Sequence, residues 1–133
     1  AQTVANKNFF DNFRANYDTV AINTMGSFLF QPSTADSVKT RVLKNVLEAD
    51  HDISISVLEA LAQIAQTEMT MMSQLQMPLV LVNSDVQPVQ LDTLNKYCPK
   101  GAKVFYVHGT GHYPMIESAD EFNRKLEEAI KSK

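Results

Sequence analysis

Apolar residues in the first part of the chain recur every three or four positions, the spacing that places them on one face of an α-helix. Polar and charged residues fill the positions between them. Three apolar stripes stand out: Phe9, Phe10, Phe13 and Tyr17; Val38, Val42, Leu43, Val46 and Leu47; and Val57, Leu58, Leu61, Ile64 and Ala65. The phenylalanines of the first stripe are expected to lie in the core, with a ligand-facing aromatic wall as the alternative. The pattern predicts a helical region over residues 1–77, with Thr34 or Asp36 capping the second of these helices and Asp52 the third.

The pattern changes after Met77. Two short, continuously apolar runs at residues 79–82 and 104–107 predict buried strands, and a short helical stripe lies between them. Strand, helix and strand in this order form a right-handed, parallel βαβ unit. A last helix carries its apolar residues on one face: Phe122, Leu126, Ala129 and Ile130. The expected fold class is α/β, mostly helical with a minimal parallel strand pair, divided into regions 1–77 and 78–133.

The turn after the second strand presents a histidine. Gly109 and Gly111 interrupt the apolar run before His112. Pro114 is expected to block helix formation at the residue before it, and a helix is expected to start afterwards at Ser118. Ser118 and Glu121 have the spacing of a capping box. Open α/β sheets bind ligands at the carboxyl ends of their strands, and imidazole titrates near neutral pH. His112 is therefore the best candidate for a general base.

These residues also carry a resemblance. The segment 109–117, GTGHYPMIE, followed by Glu121-Phe122-Asn123, resembles the histidine loop of the α/β-hydrolase family. The run MPLVLVNSD at 77–85 resembles the strand and acid loop that precede it in that family. The resemblance implies the C-terminal half of a hydrolase, with residues 1–77 similar in kind to the family's cap region. Its implied ancestral chemistry is ester or acyl hydrolysis, with a small acyl or ester substrate.

The carboxylate that would orient His112 has more than one interpretation. Asp85 is the only acid in the loop after the first strand, so it is assigned as the orienting residue. An ungapped comparison with the commoner family pattern places the acid at Gln87, and glutamine cannot stabilise an imidazolium charge. Under that comparison, either Asp85 replaces the family's acid from a shorter loop, or His112 has no carboxylate partner. Asp92 is a remote alternative, and Glu117 is expected to organise its turn rather than to react.

The nucleophile is missing from the sequence. No Gly-x-Ser-x-Gly motif occurs, and Ser27 has a glycine on one side only and no predicted strand before it. The loops from which the family builds its oxyanion hole are also absent. The first hypothesis is thus a hydrolase-like segment that acts only with a nucleophile from another chain. The rival hypothesis is a non-catalytic binding or assembly module derived from a hydrolase.

Composition narrows the function classes. The net charge of −3 and the scattered basic residues argue against nucleic-acid binding, and no apolar run reaches the ~18 residues of a membrane span. The single cysteine, Cys98, excludes an intrachain disulfide and is interpreted as a packed residue at a helix end. Nothing in the sequence fixes the compartment.

No metal or cofactor is expected. His51 stands between two aspartates, and His108 and His112 have the spacing of helical zinc ligands. Glycines separate the latter pair, however, and no third ligand is near in sequence. Met69, Met71, Met72 and Met77 are expected to fill the core, with an adaptable acyl pocket as the alternative.

A partner is expected on physical grounds. Two parallel strands are too small a sheet to be stable alone, and apolar open edges pair readily with other chains. The partner is either a second copy, giving a homodimer, or a missing N-terminal half.

Overall fold

The computed structural model describes residues 2–64 and 67–132, with side chains from residue 7 onward. This part of the chain forms eight helices and one two-stranded sheet. In order, the elements are α1 (Gln2–Ala15), α2 (Tyr17–Phe28), α3 (Asp36–Leu47), α4 (His51–Ile64), α5 (Glu68–Ser73), β1 (Leu79–Ser84), α6 (Leu91–Tyr97), β2 (Ala102–Val107), α7 (Pro114–Glu117) and α8 (Ala119–Lys131). The predicted α/β class, mostly helical with a single parallel strand pair, is confirmed.

Helices α1 to α4 build the main apolar core. Helix α1 packs against α2 and α4, and α2 packs against α3. The first predicted stripe supplies Phe13 and Tyr17, whose rings stack with centroids 5.2 Å apart, and Ala21 and Ile55 complete the buried cluster. The expectation that this stripe is core is confirmed at its centre, although Phe9 at its start is 42% exposed.

The third predicted stripe does not face the core as expected. Helix α4 buries Ile55 and half-buries Leu58, whereas Val57, Leu61 and Ile64 are each more than half exposed. Ala65, the last residue of that stripe, lies outside the described residues. The reason is packing, because α1 is the main helix against α4 and covers only one side of it.

The methionine prediction is also wrong for most of its residues. Met69, Met71 and Met77 are exposed, and Met72 is half-buried. Helix α5, which carries three of the four, packs mainly against α6. These side chains therefore neither fill the core nor line the large apolar pocket of the helical region.

The two strands pair in parallel, as the βαβ pattern predicts. Their register runs from Leu79 opposite Ala102 to Ser84 opposite Val107, so both strands are longer than the apolar runs alone indicated. Helix α8 packs against both strands, and α6 packs against β2. Val107 is fully buried and most other strand residues are half-buried.

Helix α8 buries less of its apolar face than expected. Ala129 is buried, but Leu126 is 40% exposed and Ile130 is 58% exposed. Within the described residues, each strand has one neighbour, so the outer edge of each is unpaired. The sheet region thus leaves apolar side chains and backbone polar groups open to a partner.

The predicted helix caps differ from those observed. Pro114 does not delay the helix but begins the one-turn α7, because the first helical position needs no N–H donor. That turn makes the Ser118 N–H donate to the carbonyl of Pro114, so the capping box with Glu121 cannot form, and Ser118 makes no side-chain cap. Helix α8 begins without the predicted motif.

The N-caps of α3 and α4 also lie one or two residues away from the predicted positions. Ala35, which has no capping side chain, precedes α3, because the Thr34 hydroxyl is used elsewhere in the fold. At α4 the Ile53 N–H donates to Oδ1 of Asp50 at 3.0 Å, so Asp50 takes the role predicted for Asp52. No helix in the described ranges is both long and apolar enough to cross a bilayer.

Candidate functional site

Two loops leave the carboxyl edge of the sheet side by side. Ser84 and Val107 are register partners at the ends of their strands, so Asp85 and His108 are the first residues beyond them. Nδ1 of His108 lies 2.9 Å from Oδ2 of Asp85, and the Gly109 N–H donates to Oδ1 at 2.9 Å. A carboxylate only accepts, so Nδ1 of His108 carries the proton. The Asp85 carboxylate therefore joins the two loops.

These contacts alter the acidity of Asp85. The hydrogen bond from His108 and then the Gly109 N–H hold the pKa of Asp85 below its ordinary value, against a smaller opposing effect of desolvation. The carboxylate is partly exposed and the His108 ring is 69% exposed. The pair is thus a surface latch that favours the charged form of Asp85.

The observed partner of Asp85 differs from the expected one. The sequence predicts that Asp85 orients His112, but both carboxylate oxygens are engaged by His108 and Gly109. Among the residues that the structure describes, no hydrogen bond or ion pair joins Asp85 to His112. Strand register is the cause, since His108 is directly across from Asp85 and His112 is four residues further on. Counting from matched strand ends could have found the pair.

His112 is held by its backbone rather than by its ring. Its N–H donates to the carbonyl of Leu29 at 2.9 Å, which ties the histidine loop to the end of α2. The preceding Gly111 N–H donates to Oε1 of Glu117 at 2.9 Å. The Thr34 hydroxyl donates to Oε2 of the same carboxylate at 2.6 Å. Glu117 organises this turn, as expected, and also joins the loop to the helical region.

The two glycines of the loop are required for different reasons. Gly109 has φ of +69°, a conformation that other residues rarely adopt. At Gly111 a Cβ would come within 2.5 Å of the Leu29 carbonyl oxygen and 3.0 Å of Oε1 of Glu117. Gly111 is therefore needed because the loop and the end of α2 approach so closely.

The His112 side chain is exposed and lines a small pocket together with Asn83, Ser84 and Gln87. The pocket volume is about 20 Å³, room for about one water molecule. Gln87 thus borders the pocket of His112, whereas Asp85 does not. Within the described chain, the imidazole of His112 has no hydrogen-bonded partner. The ring can exchange protons with groups that approach from outside.

Neither serine near these loops is an evident nucleophile. Ser84 is buried, and its hydroxyl donates to the Thr110 carbonyl at 2.5 Å, which pins the two loops together. No sequence motif pointed to Ser84. Ser27 lies within α2 and has no strand before it, so it does not form a nucleophile elbow.

The structure also places the other residues singled out in the sequence, His51 and Cys98. His51 begins α4, stacks on Tyr17 with ring centroids 3.8 Å apart, and has Nε2 3.7 Å from Oδ1 of Asp18. Cys98 is buried where α6 ends, as predicted. No group of three or more potential ligands among His, Cys, Asp and Glu is found in the described residues.

The structure also contains a larger pocket, which is lined in part by Phe13 and Tyr17 of the first apolar stripe. It has a volume of about 480 Å³ and lies between helices α1 to α4 and the histidine loop, which contributes Tyr113 and Ile116. His112 does not line it. Burial raises the pKa of the Tyr113 phenol above its usual range.

Comparisons of this chain with protein-family models, with curated proteins and with solved structures found no match.

Proposed function

We propose that this chain supplies the histidine base of an α/β-hydrolase-like site for ester or acyl hydrolysis. His112 accepts the proton of a serine nucleophile and returns it to the leaving group. The nucleophile and the oxyanion hole come from a partner or from another part of a longer protein, because this sequence has no Gly-x-Ser-x-Gly motif.

The observation that carries the proposal is the way His112 is presented. Its backbone is fixed to Leu29, and the adjacent Gly111 is fixed to Glu117, while the imidazole stays exposed. A general base must be held in place and yet reach the proton that it removes. Asp85 contributes as a positioning residue, because it fixes the start of the same loop through the Gly109 N–H.

A second candidate function is a non-catalytic binding or assembly module with the same scaffold. The pairing of Asp85 with His108 favours it, because this pairing leaves His112 without a carboxylate partner among the described residues. An imidazolium that forms during proton transfer is stabilised by such a partner. The position of Gln87 beside the His112 pocket points in the same direction.

The partner in either case pairs with the open sheet. The unpaired outer edges of β1 and β2 and the exposed Leu126 and Ile130 supply the surface. A homodimer is the simplest closure, since a two-fold interface uses one patch twice, and a missing N-terminal half is the other. Sedimentation equilibrium over a range of concentrations is expected to detect a dimer. A folded monomer at every concentration would contradict the homodimer.

The catalytic proposal is tested first with the chain alone. Hydrolysis of p-nitrophenyl butyrate is expected to be no faster than with the His112→Ala variant, because removing a triad serine costs several orders of magnitude in rate. Turnover well above that of the variant would mean that the chain contains an unrecognised nucleophile.

The second test supplies the missing groups. The chain is co-expressed with a hydrolase N-terminal half that carries a nucleophile elbow, and the purified complex is assayed with the same ester. His112→Ala is expected to lower turnover by at least about a thousandfold, and the control His108→Ala by less than about tenfold. Equal turnover of the two variants in a stable complex would favour the non-catalytic module.

A further inference from the structure

The pocket of about 480 Å³ in the helical region has no role in the site of His112. Its walls come from α1, α2, α3 and α4, and Tyr113 and Ile116 close one side. A pocket of this size is in the range that holds a drug-sized molecule. The core residues Phe13 and Tyr17 form part of its lining, so the pocket adjoins the main apolar core.

The residues that line the pocket determine which kind of ligand it can bind. None of the lining residues is charged, and most are apolar. A charged group placed there would lose hydration without gaining a counter-ion, which disfavours its binding. The pocket therefore favours a neutral molecule with a mainly apolar body.

A few polar side chains remain to orient such a molecule. The Tyr17 hydroxyl donates to the Val46 carbonyl, and the Ser54 hydroxyl donates to the Asp50 carbonyl, so both donors are used within the fold. The side chains of Asn45 and Tyr113 have no hydrogen-bonded partner in the part of the chain described. These two side chains can therefore hydrogen-bond to one uncharged polar group of a ligand.

We propose that this pocket is a binding site for a neutral amphiphile, a medium-length apolar chain with one uncharged hydrogen-bonding head such as an alcohol or ester. The apolar body lies against Phe13, Val46 and Leu58, and the head is bound by Tyr113 or Asn45. The Tyr113 phenol can donate a hydrogen bond, because a tyrosine is already protonated at neutral pH and burial raises its pKa further. The site is independent of His112, which lines a different pocket.

Octan-1-ol is the test ligand, followed by ¹H–¹⁵N NMR titration of the whole chain, and octanoate at pH 8 is its charged counterpart. Octan-1-ol is expected to bind saturably at one site, with shifts centred on α4 and Tyr113. Octanoate is expected to bind at least about tenfold more weakly, because its carboxylate has no counter-ion in the pocket. Equal affinity for the two ligands, or no saturation up to the solubility limit of octan-1-ol, would overturn the proposal.

Two matched variants separate the pocket from the outer surface of α4. Val57 is 53% exposed and lines the pocket, while Leu61, one turn further on, is 54% exposed and does not. Val57→Glu is expected to weaken octan-1-ol binding at least about tenfold, and Leu61→Glu less than about twofold. Both positions are exposed, so both variants are expected to fold. Equal losses would place the binding on the outer surface and refute the proposal.

Tyr113→Phe tests the polar end. Removing the hydroxyl is expected to weaken octan-1-ol binding by roughly two- to tenfold, the range for one hydrogen bond. Combined with Asn45→Ala, the loss is expected to increase further. If neither variant changes the affinity, the pocket does not recognise the head as proposed.

Discussion

The helical region and the sheet region bury their apolar residues to different extents. Helices α1 to α4 enclose a cluster around Phe13, Tyr17, Ala21 and Ile55, all of which are less than 10% exposed. In the sheet region Val107 is fully buried, most strand residues are half-buried, and α8 leaves Ile130 more than half exposed. The helical region thus contains its own core, whereas the sheet region has an incomplete one.

The difference follows from how each element satisfies its backbone. A helix makes its backbone hydrogen bonds internally, so a few packed helices can form a core without further chain. A strand makes its backbone hydrogen bonds to neighbouring strands, and a parallel sheet is usually covered on both faces. The candidate site stands at the junction, because the histidine loop leaves β2 and is anchored on residues of the helical region.

The largest expected effect contrasts the two cores directly. Phe13→Ala should reduce the free energy of unfolding by about 3–5 kcal/mol, because Phe13 is 2% exposed in a close-packed cluster. In the monomer, Leu126→Ala on α8 should cost less than about 2 kcal/mol, since Leu126 is 40% exposed. Urea unfolding at a protein concentration too low for dimer formation measures both losses. Equal losses in the monomer would contradict the contrast between the two cores, whereas the proposed dimer should make the Leu126→Ala loss increase with protein concentration.

The next prediction concerns the junction between the regions. Gly111→Ala should lower the free energy of unfolding by about 1–3 kcal/mol, because the new methyl group collides with the Leu29 carbonyl. Gly26→Ala is the control, since nothing lies within 4 Å of its Cβ position in the last turn of α2. That control should leave stability unchanged or raise it by up to about 1 kcal/mol. A neutral Gly111→Ala would show that the junction tolerates displacement.

A smaller loss is expected from the carboxylate that bridges the regions. Glu117→Gln should cost about 1–2 kcal/mol, because the amide keeps one acceptor but loses the charge that strengthens the bonds from Gly111 and Thr34. Glu127→Gln is a matched control on the exposed face of α8, where ion pairs contribute little. A double-mutant cycle with Thr34→Ala should detect coupling across the junction. Additive losses would contradict a shared hydrogen bond.

The smallest effect should come from the latch between the two loops. Because the folded-state pKa of Asp85 is lowered, its contribution to stability is present at neutral pH and is lost as the pH falls through that lowered pKa. Asp85→Asn should therefore be less stable than the original chain at pH 7, and the difference should shrink as the pH is lowered towards 2. Asp92→Asn, at an exposed position on α6, is the control for loss of a surface carboxylate. An undiminished difference at pH 2 would assign the effect of Asp85 to something other than its charge.

Much of the fold could be predicted from local sequence patterns. The spacing of Phe13 and Tyr17 predicted a buried helix face, and the apolar runs at 79–82 and 104–107 predicted a parallel strand pair. The faces of α4 and α8 were harder to predict, because periodicity identifies an apolar stripe but not the element that packs against it. Exposed Leu61 and Ile130 are examples.

The site depended on contacts that no local pattern encodes. The bond between Thr34 and Glu117 joins residues 83 positions apart. The pairing of Asp85 with His108 depends on strand register. The first apolar run ended before Ser84 and therefore underestimated the length of β1. The role of Glu117 in its own turn was predicted correctly because it is local.

The hydrogen bond from the His112 N–H to the Leu29 carbonyl makes one amide proton a reporter of the whole junction. If the helical region and the sheet region separate while each stays folded, that proton becomes free to exchange with solvent and the amides between β1 and β2 do not. Its exchange rate then measures the free energy of this partial opening rather than of global unfolding. The histidine therefore keeps its position only as long as the two regions remain docked.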